Sequence, residues 1–281
     1  MRFAIVTIDR YAEIFDAFVD AGWTPIKLFT SPSNDEFGDN RHMIADAERR
    51  RMNIQTTRIT DRDLSDLRDQ NCDILVVAGY AWKIPDPYRY LKYAVNFHPS
   101  PLPAGRGPYP LPQAILQAWN EWAVSCHKIS DDFDAGDILD AESFPIAPDE
   151  CHESLTLKTQ IAGKRLASRV AGNFQTLWDN AKIQENPSYW PRTPIAGRVI
   201  DFDQPVQSVL RHIRAFGNTE SFAKIGEAFF TVKRGVGWRE AHALTPGTPI
   251  HFNHGKLVVA TTDGFIGLLD VLPISASIHN G

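Results

Sequence analysis

Apolar runs of strand length alternate with amphipathic stretches over the first part of the chain, and short β runs separated by turn residues follow. This order predicts an α/β fold, with a Rossmann-like, mostly parallel sheet followed by a small, mostly-β C-terminal domain. Three observations carry the prediction. The run Asp73–Ala78 is continuously apolar after its first residue, as a central parallel strand buried on both faces must be. Ile14, Phe15, Phe18 and Val19 make one helical face directly after an apolar run, Arg2–Ile8. Near the end of the chain, Asp263-Gly264 separates two apolar runs as a hairpin turn does.

Taken in order, Arg2–Ile8 reads as the first strand and Tyr11–Ala21 as a helix that Gly22 can stop. Thr24–Phe29 is the second strand. Arg41–Arg51 is a charged, exposed helix, and Asp61–Asp69 a helix with Leu64 and Leu67 inward. Strands follow at Asp73–Ala78 and Tyr93–His98, a helix at Leu111–Ala118, and a strand at Ala123–Ile129. Glu153–Asn180 reads as helix, with a break near Gly163 or Gly172. Asn186–Pro194 is proline-rich and reads as a linker. Beyond it, Val206, Val209, Leu210 and Ile213 form one helical face. Phe229–Lys233, Leu257–Thr262 and Phe265–Leu272 are β runs, with a turn at Phe252–Gly255. The expected domains are 1–185 and 198–281, joined by a linker at 186–197.

The first strand-to-helix turn, Thr7–Tyr11, contains no glycine, so backbone cannot approach a dinucleotide pyrophosphate there. A dehydrogenase is discounted on that ground. The 281 residues, 43% hydrophobic and 22% charged, suit a soluble globular protein. No apolar run is long enough to span a bilayer, and no signal peptide is read, so no membrane association is expected. Cys72, Cys126 and Cys151 have no metal-type spacing. This odd, sparse set suits a reducing cytoplasm, and no metal is predicted. A net charge of −5 argues against broad binding to a phosphate backbone.

The run Tyr93–His98 ends in Asn96-Phe97-His98 and then meets Pro99-Ser100-Pro101-Leu102-Pro103. In a strand, i and i+2 point the same way, so an amide and an imidazole stand side by side. The prolines end the strand there and leave the pair at a strand mouth, where open α/β sheets bind ligands. Some thirty residues on lies Asp134-Ala135-Gly136, inside the acidic run Ser130–Asp137. Together these elements resemble the signature of the 10-formyltetrahydrofolate-dependent formyltransferases: Asn-x-His-Pro-Ser-x-Leu-Pro, then an Asp-(Ala/Gly/Thr)-Gly loop. Asn96, His98, Pro99, Ser100, Leu102, Pro103, Arg106, Gly107, Asp134 and Gly136 carry the likeness. The stretch after 195 also resembles, more loosely, the barrel-like, OB-like C-terminal domain of the tRNA and amino-sugar members of that family.

The resemblance implies a formyltransferase fold and transfer of the formyl group of 10-formyltetrahydrofolate to a primary amine. It assigns catalysis to Asn96, His98 and Asp134. Acyl transfer needs donors for a developing oxyanion and a group to take the amine proton. Asn96 offers amide N–H donors. His98 serves as donor when protonated or as base when neutral, and Asp134 can stabilise its imidazolium. Candidate cofactor-binding residues are Trp82, Lys83, Ile84, Ile129, Asp132 and Gly136; packing alone accounts for Trp82 and Ile84 equally well. Candidate substrate-binding residues are Ser100, Arg106 and Gly107, with loop capping the first reading for Ser100 and loop anchoring an equal alternative for Arg106. A 4-amino-sugar nucleotide or similar small amine is the first expectation for the acceptor, and methionyl-tRNA the alternative. The acidic loop Thr30–His42 (Asp35, Glu36, Asp39) and the short tail after Leu272 count against tRNA. Hydrolysis of 10-formyltetrahydrofolate and an inert binding module are further alternatives, and a homodimer through the second domain is left open.

Overall fold

The computed structural model describes residues 1–31 and 40–274, so most of the acidic loop and the tail lie outside the described residues. By internal contacts the chain divides into two compact units. The first comprises Met1–Pro110, Glu121–Pro145 and Leu157–Pro191; the second comprises Leu111–Asn120, Ile146–Thr156 and Arg192–Gly281. The division is therefore not a single cut along the sequence.

The first unit is built on seven strands: β1 (Arg2–Thr7), β2 (Thr24–Phe29), β3 (Asn53–Gln55), β4 (Ile74–Ala78), β5 (Tyr93–His98), β6 (Glu121–Lys128) and β7 (Ile138–Pro145). They form one sheet in the order β3-β2-β1-β4-β5-β6-β7. β1 to β5 pair in parallel; β6 and β7 are antiparallel additions. The helices are α1 (Ala12–Asp20), α2 (Arg41–Arg49), α3 (Asp61–Asp69), α4 (Pro110–Leu116, which passes into the second unit), α5 (His152–Gly172) and α6 (Phe174–Asp179). The long helix expected at Glu153–Asn180 breaks after Gly172, the later of the two positions the sequence offered.

The apolar patterns explain the packing. β4 is buried at every position, as its unbroken aliphatic sequence requires. One face of the sheet carries Phe3, Ile5, Val76 and Val95 under α1 and α5, where Phe18 and Trp23 meet at 4.8 Å. The opposite face carries Ala4, Val6, Leu75 and Val77 under Leu64 and Leu67 of α3. A capping box at Thr60 and Asp63 starts α3.

The second unit holds α7 (Val206–Glu220) and seven short strands, β8 (Phe222–Ile225), β9 (Ala228–Thr231), β10 (Arg234–Arg239), β11 (Pro249–Asn253), β12 (Lys256–Ala260), β13 (Gly264–Leu269) and β14 (Leu272–Pro273). They form antiparallel sheets ordered β10-β13-β12-β11 and β14-β9-β8. Val206, Val209 and Ile213 of α7 share one core with Val259, Ile266 and Leu268, so the small mostly-β expectation is met. Both hairpin signals fall where read: His254 and Gly255 take positive φ between β11 and β12, and Asp263 precedes β13.

Candidate active site

β5 runs out at His98, and its pleat sets Asn96 and His98 on one face at the carboxyl end of the parallel strands. The antiparallel β6 places His127 directly opposite Asn96. The proline-rich turn that follows is fixed from below by buried donors and acceptors. The Trp122 indole N–H donates to the Pro99 carbonyl (2.9 Å), and the Ser125 hydroxyl donates to the Ser100 carbonyl (2.7 Å). The Leu102–Pro103 peptide is cis. The segment 186–190, read as a linker, does more than connect. Ser188 Oγ accepts from Gly105 N–H (2.9 Å), and Trp190 N–H donates to the Arg106 carbonyl (2.7 Å).

The loop after β6 brings Asp134 in with φ 56°, a left-handed conformation that Asp tolerates. Its Oδ1 lies 3.4 Å from His98 Nδ1, 3.3 Å from Asn96 Nδ2 and 3.7 Å from His127 Nε2. Its Oδ2 accepts the Gly107 N–H at 2.9 Å. The loop itself is clasped by the Gln184 amide, which donates to the carbonyls of Asp134 (2.8 Å) and Gly136 (2.7 Å). Gly136 is needed because a Cβ there would sit 2.0 Å from the Lys128 carbonyl oxygen.

Carbonyl oxygens only accept hydrogen bonds, and this assigns the tautomers. His98 Nε2 meets the Gly105 carbonyl at 2.9 Å and so carries a proton, leaving Nδ1 as the nitrogen that faces Asp134. His127 Nδ1 meets the Lys128 carbonyl at 2.7 Å, which leaves Nε2 to accept from Asn96 Nδ2 at 3.0 Å. Burial lowers the His98 pKa, and the Asp134 charge and the Gly105 contact only partly offset that. For Asp134, burial acts upward. The His127 contact, the charge that His98 takes up in acid and the Gly107 N–H outweigh it and bring the carboxyl down to about 2. At neutral pH the corner therefore holds a carboxylate beside a neutral imidazole able to take a proton.

A cleft with about 500 Å³ of open space, counting the part open to solvent, extends from Asn96 and Asp134. Of the residues expected from sequence, Trp82, Lys83, Ile84, Ile129 and Asp132 line it. His98, 6% exposed, lies buried behind Asp134. Ser100 is fully buried and donates to the Ala104 carbonyl, the local loop capping that the sequence suggests first. Arg106 is taken by Gln184 Oε1 (2.9 Å), and Gly107 contributes its N–H to Asp134. Gly136 backs onto Lys128 rather than lining the cleft. The sequence reading passed over His127 and Gln184. The antiparallel pairing of β5 with β6 would have pointed to His127; nothing local marks Gln184. Among the described residues, no three His, Cys, Asp or Glu side chains stand together as a metal site.

Comparison with known proteins shows the family. Residues 32–171 match the formyl transferase family and residues 196–278 match the formyl transferase C-terminal domain. The methionyl-tRNA formyltransferase of Coprothermobacter proteolyticus is 31% identical over 215 residues, 72% of this chain and 67% of that one. Among solved structures, an N-formyltransferase from Helicobacter canadensis, crystallised with folinic acid and dTDP-3-aminofucose, superposes with a TM-score of 0.70 at 18% identity. It covers 96% of this chain and 99% of that one. HypX from Aquifex aeolicus gives a TM-score of 0.71 at 16% identity, over 95% of this chain and 45% of its own. The chain spans 66% to 69% of the length of the first curated relatives it matches. This chain belongs to the formyl transferase family.

Proposed function

We propose that this member of the formyl transferase family moves the formyl group of 10-formyltetrahydrofolate to a primary amine on a small acceptor, an amino-sugar nucleotide first of all. The convergence of Asn96, His98 and Asp134 beside a half-apolar cleft carries the reading. Trp82, Ile84 and Ile129 offer an apolar wall for a flat pteridine, and the Ser130–Asp134 loop offers backbone and carboxylate partners for its polar edge. Attack by an amine puts negative charge on the formyl oxygen and leaves a proton to be removed. Asn96 supplies the N–H. Its bond to Asp134, at 3.3 Å the longer of its two, is the one it can give up to that oxygen. The Asp134–His98 pair takes the proton, held as carboxylate beside imidazolium with the proton on Nδ1 of His98, and returns it to N10 as the bond from the formyl carbon to N10 breaks and tetrahydrofolate leaves.

A second reading, methionyl-tRNA as acceptor, is favoured by the sequence relatives, which are methionyl-tRNA formyltransferases. The net charge of −5 weighs against it. The test is spectrophotometric release of tetrahydrofolate by wild type and Asn96→Ala, without acceptor, with amino-sugar nucleotides, and with methionyl-tRNA. Loss of one oxyanion donor should cost about a hundredfold or more in rate. Release that needs an amino-sugar nucleotide supports the first reading, and release that needs methionyl-tRNA supports the second. Release without acceptor would make the protein a hydrolase, and a fully active Asn96→Ala variant would remove the basis of the reading.

A further inference from the structure

The second unit contains a cleft of its own, with about 550 Å³ of open space counting the part open to solvent. It shares no residue with the catalytic cleft. Ile115, Ile146 and Pro148 give it an apolar lining, and the half-buried Trp119 lines it too. Ala118, with φ 55°, ends the α4 region in a left-handed turn just before that ring. Arg211 and Arg214, i and i+3 on one face of α7, complete the lining.

Both guanidiniums are half-buried, and neither meets a carboxylate within ion-pair distance among the described residues. Arg214 donates instead to two carbonyls, Nε to Glu150 (3.2 Å) and Nη2 to Pro148 (3.4 Å). Those bonds fix the plane of its fork without neutralising its charge. The nearby Glu150 carboxylate accepts from the Ala147 N–H (3.1 Å) and from the Ser154 hydroxyl, capping its own turn. Burial lowers the Arg214 pKa, and the Arg211 charge adds to this; Asp149 opposes it. Two like charges held together against their repulsion, in a cleft that an aromatic ring also lines, make a receptor for an anion with a flat apolar part. Phosphate suits the paired forks, and a purine or pyrimidine suits the indole.

We propose that this cleft binds a nucleotide, its phosphates on Arg211 and Arg214 and its base against Trp119. The nucleotide is either free, as a nucleoside diphosphate, or part of an RNA strand, and the experiment separates the two. The full-length protein is photolabelled with 8-azido-ADP, and the labelled peptides are identified by mass spectrometry. Wild type, Asn96→Ala, Arg211→Gln and Arg211→Lys are compared, with ADP, dTDP, inorganic pyrophosphate and bulk tRNA as competitors.

Label is expected on the peptides carrying Trp119 or Pro148. It should be unchanged in Asn96→Ala, reduced about tenfold in Arg211→Gln, and partly kept in Arg211→Lys. Competition by nucleoside diphosphate alone identifies a free nucleotide, and stronger competition by tRNA identifies RNA. Label elsewhere only, or label indifferent to Arg211→Gln in a protein with an unchanged thermal melt, would overturn the proposal. So would competition by pyrophosphate equal to that of ADP, which would reduce the site to a bare anion. Asn96→Ala keeps this outcome separate from the fate of the formyl-transfer reading.

Discussion

The two clefts handle charge in opposite ways. In the first unit, Asp134 gathers Asn96, His98, His127 and the Gly107 N–H around one carboxylate, a cluster closed on itself. In the second unit, Arg211 and Arg214 face a cavity with carbonyls for company and no carboxylate within ion-pair reach among the described residues. A closed network is built to hold reacting groups still while charge moves through it. An open excess of one charge is built to be completed by a ligand. Changes at the first should therefore spread through shared partners, whereas changes at the second should be felt only when a ligand is present.

The largest expected break lies at the loop that delivers Asp134. Gly136→Ala puts a methyl group 2.0 Å from backbone oxygen that cannot move without parting β6 from its neighbours. Denaturant unfolding should show a loss of about 3 kcal/mol, the upper end for overpacking. An unchanged midpoint would mean that the loop is not clamped.

Acid should open the same corner next. Asp134 has its folded pKa lowered to about 2, so its stabilising share is complete above the ordinary carboxylate range and is lost as pH falls towards 2. That share is worth about 2 kcal/mol. Burial lowers the His98 pKa as well, so charging it on the way down also costs folded stability. Unfolding measured from pH 5 to 2.5 should lose this increment in wild type and not in Asp134→Asn. Formyl release, for which the proposed mechanism needs neutral His98, should hold until the pH is below the ordinary histidine value of about 6.5.

His127→Leu is the finest probe. It removes the acceptor of one Asn96 N–H (3.0 Å) and leaves that donor partly buried without a partner, at a cost of about 1–2 kcal/mol. The rate constant should fall about tenfold with KM little changed, because the amide loses its aim rather than its place. A change in KM alone would make His127 a binding residue and not a positioning one.

The chain itself determined the parallel core, the strand mouth and the side-by-side placement of Asn96 and His98. Those follow from local rules: an unbroken aliphatic run, a two-residue pleat, and prolines that end a strand. The second unit was legible through its hairpins at His254-Gly255 and Asp263, which depend only on neighbouring residues. Strands such as β7, β8 and β10 escaped notice because their exposed positions dilute the apolar alternation.

What only the tertiary structure decided is who faces whom. The antiparallel turn of the sheet at β6 puts His127 opposite Asn96 across 31 residues, and the fold returns Gln184 to the Asp134 loop across 50. Burial turned the Ser100 hydroxyl to a carbonyl of its own loop, and contacts between distant segments gave the second unit its cleft. Local sequence sets conformation, but register, burial and charge pairing depend on partners far along the chain, and no periodicity records them.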